Sequence, residues 1–526
     1  MLFLLLSVLS MALLTLQNMR YTVTAPWTFE TERVEILPQQ TLPVWSIPVM
    51  AVLLICCAGG LRMVQDRRQI SDIFRNTVLV LILVSAAAVG FYGLRRAMPA
   101  ISNDDAGICW SVAYELMENG DTASFEPGGY LVRYPQQAGL VCLHLMLFRL
   151  FIENETQSFY LLTLFLFLIT MLAGALTARF LETKGDRNRS IWCAEPLFLL
   201  FMLTGLPAWL YVGYLYGETA STAAMVVGAY GLMRFIQGKK CRLLWLLLIL
   251  PAVALGVLLR KNTLIFVIAC LLVLLVYWIR TVFSWQPLLC MILLMLTTVL
   301  VPRAALNWLY ARADTGAQPS QGIPATAHIA MGLQDEWDGP GWYNDYNRVL
   351  FDAYGEDSAA TDQAAKQEIM QRMAGFMADP GYGMDFFSRK LTSQWCEPTS
   401  DAFYCCLRWF DDQAPFMAWM RSEEGQGVLR GALSLRLGML YVGGLLCAAV
   451  ALAAAIRKHR RPSAGMSVLF LTVLGGIAFS LLWEAKSRYC VEYLTALVPL
   501  AALGYAQAGG KWFGLFRQEK GEWDDE

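Results

Sequence analysis

Runs of about 20 mostly apolar residues recur along nearly the whole chain, and that repetition limits what it can fold into. About 20 such residues are what a helix needs to cross the hydrocarbon core of a bilayer. The expected fold is therefore all-α: a polytopic integral membrane protein of about twelve transmembrane helices with one long external loop region. Composition agrees, with 57% hydrophobic and 16% charged residues, where a soluble domain carries roughly 25% charged residues. A net charge of −1 argues against nucleic acid as a partner and against long-range steering.

Lys and Arg mark cytoplasmic loops, and the spans can be ordered on that rule. The first run, about 2–19, has no basic leader and no convincing small-residue cleavage site, so it reads as a span rather than a removed signal. An acidic segment (Glu30 to Glu35) suits the outside. Span two, about 45–61, ends inside at Arg62, Arg67, Arg68 and Arg75, and span three, about 77–95, delivers Asn103-Asp104-Asp105 to the outer face. The run 136–152 holds His144 and Arg149 and is short. If it crossed, the basic loop Lys184–Arg189 would lie outside, so it reads as an interfacial helix. Spans four to nine follow at about 158–180, 193–210, 219–236, 243–259, 263–279 and 285–302, and spans ten to twelve at about 432–455, 464–483 and 490–507. Both termini then face the cytoplasm of a plasma-membrane protein.

Three units follow from this ladder: a membrane module over 1–302 with its first external loop at about 97–157, an external region over 303–430, and C-terminal membrane helices over 431–526. In the external region, Thr361-Asp362 reads as the cap of a helix stopped by Pro380, with an amphipathic helix from Gly381 to Leu391 after it. Most of the 13 cysteines lie in apolar runs and read as unpaired thiols. Cys396, Cys405 and Cys406 leave room for one external bridge. Asn154-Glu155-Thr156 matches a glycosylation sequon, a pattern common by chance.

The chemistry-bearing residues collect on one side. Asp104, Asp105, Arg133, Tyr134, Gln136, Glu218, Arg260, Lys261, Glu484, Lys486, Arg488 and Tyr489 all stand at outer ends of spans or in outer loops. That is the depth of a lipid phosphate. The arrangement suits group transfer from a phosphate-linked lipid to an extracytoplasmic acceptor. An acceptor hydroxyl must lose a proton, which suits a carboxylate, Asp104 or Asp105. A departing phosphate needs cations, for which Arg260, Lys261 and Arg488, with Tyr489 beside them, are the candidates. Arg133, Tyr134, Gln136, Glu218, Glu484 and Lys486 are candidates for holding substrate. Each has a plainer reading. An Asp before the Ile108/Val112/Leu116 stripe is a good helix cap, Arg260 and Lys261 snorkel to headgroups, Glu218 starts a helix, and Glu484 pairs with Lys486 or Arg488. Three histidines in the whole chain rule out a multi-histidine metal site.

Asp104-Asp105, Tyr134-Pro135-Gln136-Gln137, the Arg260-Lys261-Asn262 tip and Trp483-Glu484-Ala485-Lys486-Ser487-Arg488-Tyr489 occur in this order over most of the chain. In that order and sidedness the sequence resembles the GT-C superfamily of membrane glycosyltransferases, and within it the protein-mannosyltransferase and aminoarabinose-transferase-like branch. The resemblance implies a catalytic Asp in the first external loop. It also implies inverting transfer of a sugar from a polyprenyl-phosphate donor to a glycan, lipid or protein acceptor. Some branches use a divalent metal, for which Asp104 or Asp105 would be the ligand. Where the transferase branch often has Lys-Pro-Pro, Tyr134-Pro135-Gln136 stands here. Two other functions fit parts of the pattern. A surface-polysaccharide ligase or polymerase relies on external Arg and His, and His328 is the external histidine besides His144. A lipid-linked precursor transporter or flippase favours midplane charges and repeated halves.

Overall fold

The computed structural model describes residues 1–25, 33–39, 42–67, 71–96, 101–151, 154–183, 192–238, 242–409, 415–458 and 461–523. Among them, eleven helices are long and apolar enough to cross a membrane. A twelfth is made by Ala194–Leu203 and Leu206–Gly213 together, bent by 62° at Thr204-Gly205. The protein is thus an all-helical, multi-pass membrane protein, as the apolar runs predict. Several of the charges that set the expected sidedness lie outside the described residues: Glu30, Arg68, 184–189, 239–241 and His459-Arg460. Among the described residues, strands are confined to two short antiparallel hairpins, Tyr21–Thr24 with Glu35–Pro38 and Asp335–Glu336 with Gly339–Pro340.

The centre of the bundle is the last helix, Val491–Trp523, whose side chains are buried through most of its membrane stretch. It packs on Glu423–Lys458, Ser46–Arg67 and Glu218–Gln237. Glu218–Gln237 is rich in Ala, Gly, Ser and Thr, and small residues let helices approach closely in lipid. The Trp285–Ala313 helix, by contrast, turns most of its apolar side chains outward.

Three expectations need correction. The Ala138–Phe151 helix is too short to cross, as expected, yet it does not lie on a surface. Nine of its fourteen residues are buried, His144 completely, because it packs on Asp105–Glu118, Glu155–Thr183 and Trp285–Ala313. Its neighbours supply the polar partners it would otherwise seek in water: His144 Nδ1 meets Glu155 Oε1 at 2.6 Å, and Trp110 Nε1 donates to Glu155 Oε2 at 2.8 Å. Spans nine and twelve run past the apolar stretches, to Ala313 and Trp523, through Pro302 and Pro499. The external helix begins at Ser358, capped by Asp357, whose side chain accepts from the Ala359 and Ala360 amides, while Thr361 is buried one turn in. All described cysteines are free, including Cys396, Cys405 and Cys406.

The second external helix, Pro380–Trp395, carries a lysine that ties the external region to the bundle. Lys390 is fully buried and donates through Nζ to the carbonyls of Gly332, Leu481 (3.1 Å) and Trp483 (2.7 Å). A cation at helix C-termini is favourable, though burial pulls its pKa down to about 7. Lys390→Met would leave three carbonyls without their partner. It should cost about 2–4 kcal/mol, read as a lower melting temperature in detergent; an unchanged melting curve would contradict this role.

Candidate active site

Residues Ser102 to Gln137 form the first described wall of a large cavity. Asp104 caps the Asp105–Glu118 helix: its Oδ1 accepts from the Ala106 amide at 3.0 Å and from Ser102 Oγ at 2.5 Å. Its Oδ2 accepts from Tyr214 Oη, and Arg488 Nη1 lies 3.8 Å away. Asp104 is therefore fully occupied. Asp105, one residue on, points differently and accepts a single hydrogen bond, from Tyr130 Oη at 2.9 Å. Burial and the adjacent Asp104 charge push the Asp105 carboxyl above the ordinary carboxylate range, and Arg488 and Lys486 oppose the rise.

The opposite wall is an ionic knot. Arg260, at the tip between Leu246–Leu259 and Thr263–Arg280, reaches Glu218 Oε1 through Nη1 at 2.6 Å and Glu492 Oε1 through Nε at 2.6 Å. Arg488 Nε lies 3.4 Å from the same Glu218 oxygen, and its Nη1 donates to Tyr214 Oη at 2.6 Å. All four charged residues are buried. Gly217 makes this approach possible, since a Cβ there would lie 2.6 Å from Leu259 O and 3.2 Å from Arg260 Cβ. Arg260 Nη2 makes no hydrogen bond.

A third cluster comes from the end of the Ala464–Leu482 helix and the external region. Glu484 takes a hydrogen bond from Tyr489 Oη and lies 3.3 Å from His328 Nδ1. Burial alone would raise its pKa, but His328, Tyr489 and Lys486 together hold the carboxyl at about 2. The His328 ring stacks on Trp483 at 4.8 Å and 10°.

Between these walls lies a cavity of about 640 Å³. Of the twelve residues singled out from sequence, ten line it: Asp104, Asp105, Tyr134, Gln136, Arg260, Lys261, Glu484, Lys486, Arg488 and Tyr489. Glu218 stands behind the two arginines. Arg133 does not belong: its guanidinium pairs with Asp352 at 3.1 Å, outside the lining. The expected pairing of Glu484 with Lys486 or Arg488 is also replaced, by His328 and Tyr489. Arg260 is no snorkelling side chain but a buried ion-pair member.

Sequence reasoning passed over Tyr130, Tyr214, Glu492 and Asn347. Glu492 had a signal, a carboxylate inside an apolar span, which is a functional flag in itself. The tyrosines had none, because their partners lie 25 and 110 residues away.

The donor set does not fit a protein-held metal. Among the described residues no three His, Cys, Asp or Glu side chains converge, and both Asp104 oxygens already carry hydrogen bonds.

No protein-family model and no curated protein matches this chain. Solved structures do. Oligosaccharyltransferase AglB from Archaeoglobus fulgidus, in complex with an inhibitory peptide and a dolichol-phosphate, is 14% identical with a TM-score of 0.40. The match covers 85% of this chain and 52% of AglB, so this chain spans about half the length of that protein. ArnT from Cupriavidus metallidurans, bound to undecaprenyl phosphate, is 13% identical with a TM-score of 0.31, over 83% of this chain and 78% of ArnT.

Proposed function

We propose that this protein is a glycosyltransferase that moves a sugar from a polyprenyl-phosphate donor to an acceptor at the extracytoplasmic face, with Asp105 as general base. The reading rests on one observation. A single cavity at the ends of membrane spans carries an underused carboxylate on one wall and cations on the other.

Besides Ile108 and Leu259, the apolar lining comes from Leu264 and Ile265, in the first turn of one span, and from Phe479 and Trp483, at the end of another. A prenyl chain entering from the bilayer would meet these side chains first. The phosphate would then lie beside the Arg260-Lys261 tip. Arg260 and Arg488 are compensated by Glu218 and Glu492. The charge offered to a phosphate therefore comes chiefly from Lys261, exposed in the cavity wall. Asp105 takes the proton from the acceptor hydroxyl as its oxygen attacks the anomeric carbon from the face opposite the phosphate. The C–O bond to the carrier breaks, polyprenyl phosphate leaves with the electron pair, and the anomeric configuration inverts. Asp104 acts through position: it caps the helix that presents Asp105 and links it through Tyr214 to Arg488.

A base must be deprotonated, so the rate should rise with pH through the elevated Asp105 pKa. Lys486 lowers that pKa. Lys486→Met should therefore move the acidic limb of the rate profile to higher pH, and a limb that stays put or moves down would contradict Asp105 as the titrating group. The function itself is tested by the carrier pool. Cells lacking the protein should accumulate a polyprenyl-phosphate-linked sugar and lose a surface glycan, with rescue by wild type and none by Asp105→Asn. Unchanged carrier and glycan profiles would overturn the assignment.

A further inference from the structure

The cavity has a second end that the transfer chemistry leaves unused, built mostly by the external region. His328 on the Ala325–Gly332 helix, Asn347 on Tyr346–Ala353 and Tyr343 before it line this end, with Tyr134 and Gln136 also in the lining. His328 is held from several sides. Its ring stacks on Trp483, which stacks in turn on Phe479 at 5.3 Å and 22°. Its Nδ1 faces Glu484 Oε2 at 3.3 Å and Asn347 Nδ2 at 3.2 Å.

Nδ1 can either accept from the Asn347 amide nitrogen or donate to Glu484, and the bond to an ionised carboxylate is the stronger. Glu484, held ionised, therefore keeps the proton on Nδ1. Two consequences follow. His328 Nε2 is left as a hydrogen-bond acceptor with no protein partner, and the Asn347 amide keeps a donor in reserve. The two stand on opposite sides of the imidazole, so they are met by two different hydroxyl groups, as a polyhydroxyl ligand offers. The side chains lining this end are neutral apart from Glu484, whose carboxylate already accepts from Tyr489 Oη and faces His328 Nδ1.

We infer that this end is the acceptor subsite and that the acceptor is a neutral, hydroxyl-rich glycan, with His328 and Asn347 as its specificity-determining contacts. The inference rests on the transferase reading for the word acceptor, but the binding it requires is separate from that reading. The experiment uses the full chain in lipid nanodiscs and two kinds of probe. One is a panel of labelled tetrasaccharides derived from dextran, mannan and galactan, with a hyaluronan tetrasaccharide and an acidic peptide as charged comparators. The other is undecaprenyl phosphate.

His328→Phe keeps the ring stack and removes Nε2, and Asn347→Leu removes the amide at similar size. Each should weaken neutral tetrasaccharide binding at least tenfold while undecaprenyl phosphate binding stays within twofold. If His328→Phe fails to fold, Asn347→Leu decides. Failure of every neutral tetrasaccharide to bind, preference for a charged comparator, or full binding in the folded variants would overturn the inference. If undecaprenyl phosphate fails to bind while tetrasaccharide binding depends on His328, the lipid-donor reading falls and this subsite stands.

Discussion

Asp105→Asn should abolish sugar transfer, by about 10³-fold or more within the 10²–10⁴ range of general-base catalysis, while the protein folds and binds its carrier. The substitution keeps size and hydrogen bonding. Tyr130 Oη can still donate to the amide oxygen, as it does to Asp105 Oδ1 at 2.9 Å. Only the ability to take a proton is lost. Asp104→Asn is the matched control, because asparagine is as good a helix cap as aspartate. It keeps the bond to the Ala106 amide and weakens the tie to Tyr214 and Arg488. Its expected loss is about tenfold, the size of a displaced rather than missing base. Equal losses in both variants, measured as turnover of purified protein, would mean that the two carboxylates act as one unit.

Arg260→Gln should be the most destabilising single change in the cavity. Arg260 is 7% exposed and stands between Glu218 and Glu492. Removing its charge leaves two buried carboxylates facing each other with only Arg488 nearby. Breaking a buried pair in this way costs about 3–5 kcal/mol. Restoring neutrality with the double variant Arg260→Gln/Glu492→Gln should recover most of the stability. Lys261→Met should show the reverse pattern, since Lys261 is exposed in the cavity wall. Its expected effect is a carrier affinity about tenfold weaker, the loss of one desolvated phosphate contact, with no change in melting temperature. If Lys261→Met binds the carrier normally, the phosphate does not lie at the hairpin tip.

The membrane fold was legible because it depends on a one-dimensional quantity, the length of an apolar run, and the bent pair at Thr204-Gly205 falls within one such run. The cavity was partly legible for a related reason. Span ends return to the same surface, so charged residues at those ends gather: Asp105, Arg260, Lys261, Glu484 and Arg488 do line one hollow. What could not be read is which charge answers which. Arg133 looked like a cavity residue from its place beside Tyr134, yet its partner Asp352 lies 219 positions away and draws it out. Arg488 resembled a free cation until Tyr214, 274 positions away, and Glu218 were set beside it. The same holds for the separation of Asp104 from Asp105, since a hydrogen bond from Tyr214 occupies one and not the other.

The most direct measurement is a structure of the full chain in nanodiscs with undecaprenyl phosphate. The phosphate is expected within hydrogen-bond reach of Lys261 or Arg260, on the side of the cavity facing Asp105, with the prenyl chain leaving between Leu264 and Phe479. A carrier bound elsewhere on the protein, with this cavity holding none, would contradict the assignment of the cavity as a lipid-phosphate sugar transfer site.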